Sequence, residues 1–361
     1  MSSDRTATEP PGPGTVRALR VHAAGDLRVD AVAPPTPATD QALIRVRYGG
    51  VCGSDVHYWQ SGAVGASVLR GPMVLGHEVV GTVAVPASDG SGPPQDRDVA
   101  IHPAQSCGSC RWCATGQPNL CPDSRYMGSA AQWPHTDGGF TDLLAVATSR
   151  LIELPDGLGL RRASLVEPTG IAWHAASRAE AVGAALRGAK VLVVGAGPIG
   201  LLMTAVAIYR GAASTTVTDL HSRPLRVAEE VGADRVITAQ ELASSDLALG
   251  VDIAFESSGS VPGLATAIRS VRRGGTVVAV GHLPSTAVPV PAGLIVSLEL
   301  TVTGSLRLVS ELPAAIVLLA DPRARVDSIV TDVYPLAHAS DAFEMAADSA
   351  RSSKVLLDFA P

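Results

Sequence analysis

The amino-acid sequence predicts an α/β protein of two domains, a β-rich first half followed by a doubly wound parallel sheet. Its 361 residues exceed what one hydrophobic core usually organises. The first half carries short β-type runs such as Ala42–Tyr48 and Val79–Val85, interrupted by Gly, Pro and Asp. After about Glu167 the pattern changes to apolar strand, glycine turn and helix. Repeated units of this kind predict a parallel sheet with helices on both faces.

Strands and helices alternate through the second half. Val-rich runs predict the strands, and longer apolar runs that begin at proline predict the helices. In chain order the predicted elements are Val191–Val194, Pro198–Arg210, Thr215–Thr218, Pro224–Val231, Val251–Phe255 and Val277–Val280, followed by a helix over Glu311–Leu319 and a strand over Lys354–Phe359. Residues 1–15 are rich in proline and poor in apolar side chains, so we expect a flexible tail there.

Composition narrows the classes of partner. The net charge is −6 and the basic residues are scattered, so the sequence has no basic stripe for a nucleic-acid backbone. It also has no apolar run of about 20 residues and no arrangement typical of a secretion signal. We therefore expect a cytoplasmic protein that acts on a small molecule, with neither a nucleic-acid nor a membrane partner.

A glycine loop predicts a dinucleotide site. Gly195, Gly197, Pro198, Ile199 and Gly200 directly follow a predicted strand and open a predicted helix, where glycines allow a tight turn and close approach of the pyrophosphate. Asp219 ends the next strand about 20 residues later, where a carboxylate binds the ribose hydroxyls of NAD and repels the 2′-phosphate of NADP. Arg223 lies close enough to soften that preference. An ordinary turn is the alternative for the glycines alone.

Four cysteines lie within one short segment. Cys107, Cys110, Cys113 and Cys121 have spacings that can wrap one tetrahedral zinc ion, and four thiolates leave no open position for a substrate. The prediction is a structural zinc lobe over about residues 105–123. An iron–sulfur cluster and unpaired cysteines are the alternatives, but the surrounding glycines and the absence of a redox partner motif favour zinc.

A second metal site is predicted from residues further apart. Cys52 follows a Gly-Gly-Val turn, and His77 and Glu78 follow Gly76 between Val-rich runs. A single cysteine is usually a small core residue, and a His-Glu pair is usually a surface or core contact. Their occurrence together with the glycine loop and the four cysteines favours metal binding.

With these motifs the chain resembles the zinc-containing medium-chain dehydrogenases over nearly its whole length after the tail. The matching segments are Val51–Tyr58, Pro72–Glu78, the four cysteines, Asp137–Phe140, Glu167-Pro168 and Gly195–Gly200. The resemblance implies a GroES-like catalytic domain from residues 16–168 plus 304–361, and a Rossmann NAD-binding domain from 169–303. It is closest to the polyol and L-idonate 5-dehydrogenase branch, because Glu167 stands where the ethanol enzymes have a cysteine ligand.

The same resemblance implies the chemistry. A catalytic zinc would bind Cys52, His77 and Glu167, with Glu78 as a ligand or a neighbour of the ligands, and would act on a substrate alcohol whose hydride passes to NAD. Ser54 and His57 would relay the proton to solvent. Tyr58, Glu167 and Arg307 would contact the substrate, and Gly281 and Ser305 the cofactor. The family also implies a homodimer or homotetramer.

Three functions are compatible with this sequence. L-idonate 5-dehydrogenase activity is favoured by Trp133–Thr136, whereas Tyr58-Trp59 is more similar to sorbitol dehydrogenase. A sorbitol, xylitol or cyclitol dehydrogenase is therefore the second hypothesis. The third is a non-catalytic nucleotide-binding relative, because fold alone does not establish activity. The presence of Cys52, His77 and Glu167 argues against it.

Overall fold

A computed structural model describes residues 14–244, 249–284 and 286–360. The predicted tail at 1–15 therefore lies outside the described residues, except for its last two positions. None of the described helices combines the length and the apolar character needed to cross a lipid bilayer.

The described strands and helices follow the order that the sequence predicts. The strands are β1 (Val16–Ala23), β2 (Asp26–Val32), β3 (Gln41–Gly50), β4 (Ala63–Val64), β5 (Ser67–Val68), β6 (Met73–Val74), β7 (Glu78–Val85), β8 (Asp98–Ile101), β9 (Ala104–Gln105), β10 (Arg125–Tyr126), β11 (Leu143–Ala147), β12 (Leu151–Glu153), β13 (Lys190–Val194), β14 (Ser214–Asp219), β15 (Arg235–Thr238), β16 (Val251–Glu256), β17 (Val271–Ala279), β18 (Thr301–Gly304), β19 (Val330–Pro335) and β20 (Lys354–Asp358). The helices are α1 (Gly53–Ser61), α2 (Arg111–Ala114), α3 (Leu160–Ala163), α4 (Val166–Ala181), α5 (Pro198–Tyr209), α6 (Ser222–Val231), α7 (Ala239–Ser244), α8 (Val261–Ser270), α9 (Ala292–Ser297), α10 (Leu312–Ala320) and α11 (Ala339–Ala347).

A mixed sheet organises the first half. Its order is β12-β8-β7-β3-β20-β19, with β11 also paired to β3. Strand β3 alternates inward and outward side chains, and its inward residues Ala42, Ile44 and Val46 are at most 2 % exposed. The late strands β19 and β20 complete this sheet, so the C-terminal part of the chain returns to the N-terminal domain.

A parallel sheet organises the second half, in the order β15-β14-β13-β16-β17-β18. The side chains of Val191–Val194 in the central strand β13 are buried, as expected where helices cover both faces. Chain order reverses at β13, whose neighbours are β14 and β16. Ligands of such sheets bind at the carboxyl end of this switch point, where the glycine loop lies. The predicted combination of a β-rich domain with a doubly wound sheet is confirmed.

Helix α4 connects the two halves. It begins at Val166 beside the first sheet and packs against both α5 and α10. Its first turn carries Glu167, so this helix places one predicted site residue at the boundary between the domains.

Candidate active site

Two turns of the first sheet bring the predicted metal ligands together. Cys52 is the N-cap of α1, directly after β3, and His77 and Glu78 lie where β7 begins beside it. The Sγ of Cys52, a ring nitrogen of His77 and a carboxylate oxygen of Glu78 all lie within 4.8 Å of one another. A thiolate, an imidazole and a carboxylate at this separation fit one transition-metal ion and suit zinc.

Asp55 holds the backbone at the predicted metal ligands. Its carboxylate is fully buried and accepts hydrogen bonds from the backbone N–H of Cys52 (3.0 Å) and of Gly76 (3.1 Å). Its Oδ1 also lies 4.0 Å from Nδ1 of His77. Burial opposes a charge on this imidazole, but the negative charges of Cys52 and Asp55 raise the pKa of His77 well above its usual value. Residues that hold ligands in this way are a regular part of metal sites.

Glu167 lies beside the metal group and is hydrogen-bonded by a tyrosine. The hydroxyl of Tyr126 donates to Oε1 of Glu167 at 2.6 Å, and the Tyr126 ring contacts the His77 ring with centroids 5.5 Å apart. Burial raises the pKa of Glu167 to about 7. Above the same tyrosine ring lies the guanidinium of Arg307, at 4.6 Å from its centroid. The structure therefore brings Arg307 and Glu167 together around Tyr126.

Glu78 forms a buried ion pair with Lys354. The Nζ of Lys354 lies 2.6 Å and 2.8 Å from the two carboxylate oxygens and also donates to the carbonyl of Val51 at 3.1 Å. Both side chains are at most 2 % exposed. Burial alone would lower the pKa of Lys354, but the carboxylate of Glu78 raises it. Whether Glu78 or Glu167 is the carboxylate ligand of the metal stays a prediction.

The four remaining cysteines converge as the spacing predicts. The Sγ–Sγ distances are 3.5 Å for Cys107 and Cys121, 3.6 Å for Cys110 and Cys113, and 4.0 Å for Cys107 and Cys113. A tetrahedron of thiolates around zinc, with bonds of about 2.3 Å, has edges of about 3.8 Å. Backbone N–H groups of Ser109 and Cys110 lower the pKa of Cys107 to about 6, which favours the thiolate. These four residues fit a zinc ion.

The glycine loop has the shape that a dinucleotide requires. Gly195 has φ of +97°, and a Cβ at Gly200 would lie 1.8 Å from the carbonyl oxygen of Gly195. By contrast, a Cβ at Gly197 would meet nothing within 4 Å, so the side of the loop nearest the helix N-terminus is open. Pro198 and Ile199 form the first turn of α5. This is an open cradle for a phosphate group at a helix N-terminus.

Residues further along the sheet extend this cradle. Asp219 accepts hydrogen bonds from the backbone N–H of Ala196 (2.7 Å) and of His221 (2.9 Å), so its carboxylate is fixed beside the loop. Gly281 follows β17, and a Cβ there would lie 2.2 Å from the N atom of Gly259. Ser305 follows β18, and its Oγ is buried without a partner among the described residues. Arg223 is exposed on α6.

Three of the predicted residues lie on α1. Ser54 is half-buried and His57 is exposed, and their relay role stays a prediction. Tyr58 is 3 % exposed and its hydroxyl accepts a hydrogen bond from the backbone N–H of Ala130 at 2.9 Å. This phenol is engaged in the core of the domain, a placement that does not favour a substrate contact.

Sequence reasoning did not identify Asp55, Tyr126 and Lys354 as parts of the site. Asp55 stood inside a matched motif without a role. Lys354 was visible as a lysine that opens an apolar strand, which is an unusual place for a charge unless it is paired. Tyr126 follows the cysteine lobe and carried no separate sequence pattern.

Comparisons with known proteins agree with this geometry. The family model of the alcohol dehydrogenase GroES-like domain matches residues 38–156, and that of the zinc-binding dehydrogenases matches residues 198–321. Sorbitol dehydrogenase of Gallus gallus is 38% identical over 336 residues, which cover 91% of this chain and 92% of the relative. L-idonate 5-dehydrogenase (NAD(P)(+)) of Escherichia coli is 34% identical over 320 residues, which cover 88% and 91%. The crystal structure of the L-idonate 5-dehydrogenase of Escherichia coli superposes with a TM-score of 0.88 at 32% identity, covering 96% of this chain and 98% of the other.

A β-rich domain with clustered metal ligands, joined to a doubly wound sheet with a dinucleotide loop, defines the class of zinc-dependent dehydrogenases that use a nicotinamide cofactor. The family models and the relatives cover most of this chain. It belongs to the zinc-containing alcohol dehydrogenase family, in the group of polyol and sugar-acid dehydrogenases.

Proposed function

We propose that this enzyme oxidises the secondary alcohol of a sugar acid, L-idonate to 5-dehydro-D-gluconate, with NAD as the hydride acceptor. The observation that carries the proposal is the position of Arg307 beside the Glu167–Tyr126 pair, next to the group formed by Cys52, His77 and Glu78. A cation at that place suits a substrate that bears a carboxylate at one end and a reacting hydroxyl further along.

The charge of Arg307 is available for such a substrate. Its side chain is half-buried, and its guanidinium contacts the ring of Tyr126 and the hydroxyl of Ser124, which lies 3.4 Å from Nη1. Among the described residues no carboxylate lies within ion-pair distance of its guanidinium. A guanidinium can bind a carboxylate through two parallel hydrogen bonds, which fixes orientation as well as affinity.

We also propose two zinc ions per chain. Cys107, Cys110, Cys113 and Cys121 would hold a structural ion, and Cys52 and His77 would hold the catalytic ion together with Glu78 or Glu167. When bound there, zinc supplies a Lewis acid that polarises the substrate hydroxyl and lowers its pKa.

The surrounding residues then have separate tasks in the proposal. Asp55 fixes the backbone at Cys52 and at Gly76, so the ligands keep their places. Ser54 and His57 carry the released proton towards solvent, since Ser54 is half-buried and His57 exposed on the same helix.

NAD is the proposed cofactor because of Asp219. Its two oxygens accept backbone hydrogen bonds from Ala196 and His221, which hold a negative charge where the 2′-phosphate of NADP would lie. Arg223 is exposed on the neighbouring helix and reduces this preference without removing it.

A neutral polyol is the second candidate substrate, and the 38% identity to a sorbitol dehydrogenase favours it. In that case Arg307 would bind substrate hydroxyls rather than a carboxylate. We also propose a homo-oligomer, which light scattering of the purified protein would test.

The test measures NADH formation by zinc-replete enzyme with L-idonate, sorbitol, xylitol and a cyclitol, and repeats the best substrate with NADP. We expect Arg307→Gln to raise KM for L-idonate by roughly tenfold or more, because a hydrogen bond to a charged group contributes about 1.5–3 kcal/mol. Arg325→Gln, at an exposed arginine after α10, is the control. Turnover of neutral polyols alone would replace the sugar acid by the second candidate, and metal analysis would count the zinc ions.

A further inference from the structure

The segment that presents Arg307 has an unusual backbone. Residues 305–310, here called the arginine loop, leave the edge strand β18 and lead to α10. Arg307 itself has φ of +56°, in the left-handed region that side chains other than glycine rarely adopt. Such a conformation persists where surrounding groups determine it. The contacts of the loop therefore decide where the guanidinium lies.

One of these contacts comes from the four-cysteine lobe. Nδ2 of Asn119, two positions before Cys121, donates to the carbonyl oxygen of Leu306 at 2.9 Å. The two residues are 187 positions apart in the chain. The bond fixes the peptide plane that joins Leu306 to Arg307, and so it acts directly on the left-handed residue.

The residues directly after the lobe contact the arginine side chain. Ser124 and Tyr126 follow Cys121 and meet the guanidinium through a hydroxyl and through a ring face. Residues 119–126 thus touch the arginine loop at one carbonyl and at the charged group. These residues therefore hold Arg307 both at its backbone and at its guanidinium.

The other end of the loop is held separately. Nε2 of His102 lies 3.0 Å from the carbonyl oxygen of Val309, and the carboxylate of Glu311 accepts the backbone N–H of Ser310 at 2.8 Å. Between these ends, the peptide that joins Leu306 to Arg307 has its carbonyl bonded to a side chain of the four-cysteine lobe. Asn119 is the side chain that restrains it.

We infer that Asn119 is a positioning residue, through which the four-cysteine lobe sets the place of Arg307 for substrate binding. This inference rests on the proposed function, because it takes Arg307 as the substrate contact. By this inference the lobe affects substrate binding as well as the stability of the protein. Arg307 binds away from the reacting carbon, so the effect falls on KM and little on kcat.

The test replaces Asn119 by Asp, which has the same shape but offers an oxygen to the Leu306 carbonyl in place of the N–H donor. We expect KM for L-idonate to rise by roughly three- to tenfold, the effect of losing a hydrogen bond of about 1 kcal/mol, with kcat and the Kd of NADH unchanged. Asn119→Gln keeps an amide donor and recovers part of the loss. Gln117→Ala, at an exposed residue of the same lobe, is the matched control.

Zinc content and thermal stability separate positioning from damage to the lobe. If Asn119→Asp loses zinc, Asn119→Ala, which removes the donor without adding a charge, replaces it. In an Arg307→Gln background, Asn119→Asp has no further effect on KM if it acts through the arginine. Equal KM in Asn119→Asp and wild type, while Arg307→Gln still raises KM, overturns the inference and leaves the proposed function intact. An unchanged KM in Arg307→Gln overturns both.

Discussion

Replacing Glu311 by Ala removes the carboxylate whose hydrogen bonds join the arginine loop to helix α4. Oε1 of Glu311 lies 2.6 Å from Nδ1 of His174, and Oε2 accepts the backbone N–H of Val309 and of Ser310. Both members of the His174–Glu311 pair have side chains that are about nine-tenths buried, at 10% and 11% exposure. The Nε2 of His174 is also buried without a partner among the described residues. The imidazole therefore depends on Glu311 for its hydrogen bonding.

The magnitude follows from which donors lose their acceptor. Ser310 is exposed, so water replaces the carboxylate there, whereas Val309 is half-buried and His174 is buried. Each buried donor left without a partner costs about 1–3 kcal/mol. We expect Glu311→Ala to lower the free energy of unfolding by about 2–4 kcal/mol. In thermal unfolding each kcal/mol corresponds to roughly 2–4 °C for a domain of 150–250 residues.

The effect depends on pH in a defined direction. Burial alone would raise the pKa of Glu311, but the hydrogen bonds from His174 and from Val309 outweigh it and lower that pKa below its ordinary value. A carboxyl group whose pKa is lowered by folding stabilises the protein above its unfolded pKa of about 4.3, and this contribution is lost as pH falls through the folded pKa. The contribution of this carboxylate to the difference in stability between wild type and Glu311→Ala is therefore complete above about pH 5 and decreases below that.

The assay is thermal unfolding followed by circular dichroism at a series of pH values. Glu344→Ala removes an exposed carboxylate in α11, so it serves as the control. The reasoning would be refuted if the difference in melting temperature between Glu311→Ala and wild type equals that between Glu344→Ala and wild type. A difference that widens below about pH 5 would refute it too.

Three further perturbations test other parts of the structure. Lys354→Met leaves the buried charge of Glu78 unpaired, so we expect the free energy of unfolding to fall by about 3–5 kcal/mol. Adding Glu78→Gln should recover part of this loss. A loss below about 1 kcal/mol would contradict the ion pair. Gly197→Ala meets no neighbour within 4 Å and should keep its melting temperature while NADH binding, followed by fluorescence, weakens, whereas Gly200→Ala, whose Cβ would lie 1.8 Å from a carbonyl oxygen, should lose both. Cys121→Ser should lower the zinc content measured by elemental analysis from the proposed two ions per chain to one, and an unchanged count would remove the lobe as a metal site.

The parts of the site that the sequence predicts are those whose residues are close in the chain. The cysteine spacing between Cys107 and Cys121 and the glycine loop after β13 depend on local geometry, and both have the predicted form. The convergence of Cys52 with His77 was predicted from the other motifs in the sequence and not from local spacing, because no local rule states how far apart two turns of a sheet will lie.

The contacts that position the site residues are single hydrogen bonds or ion pairs between residues far apart in the chain. Lys354 reaches Glu78 across 276 positions, because β20 pairs with β3 in a sheet built from both ends of the described chain. Asn119 reaches the arginine loop across 187 positions. Such pairs depend on the packing of two domains, so neither periodicity nor spacing reveals them. The burial of Tyr58 is likewise decided by neighbours distant in sequence, and its substrate role stays a prediction.

Strand β20 also determines the order in which the molecule can be assembled during synthesis. The parallel sheet from β13 to β18 is continuous in the chain and can fold while residues beyond it are still in the ribosome. The first sheet cannot, because β3 leaves the ribosome about 300 residues before its partner β20. The carboxylate of Glu78 therefore stays without its lysine until β20 has been synthesised, 276 positions later in the chain, so the turns that carry Cys52 and His77 complete their packing only after the parallel sheet has been made.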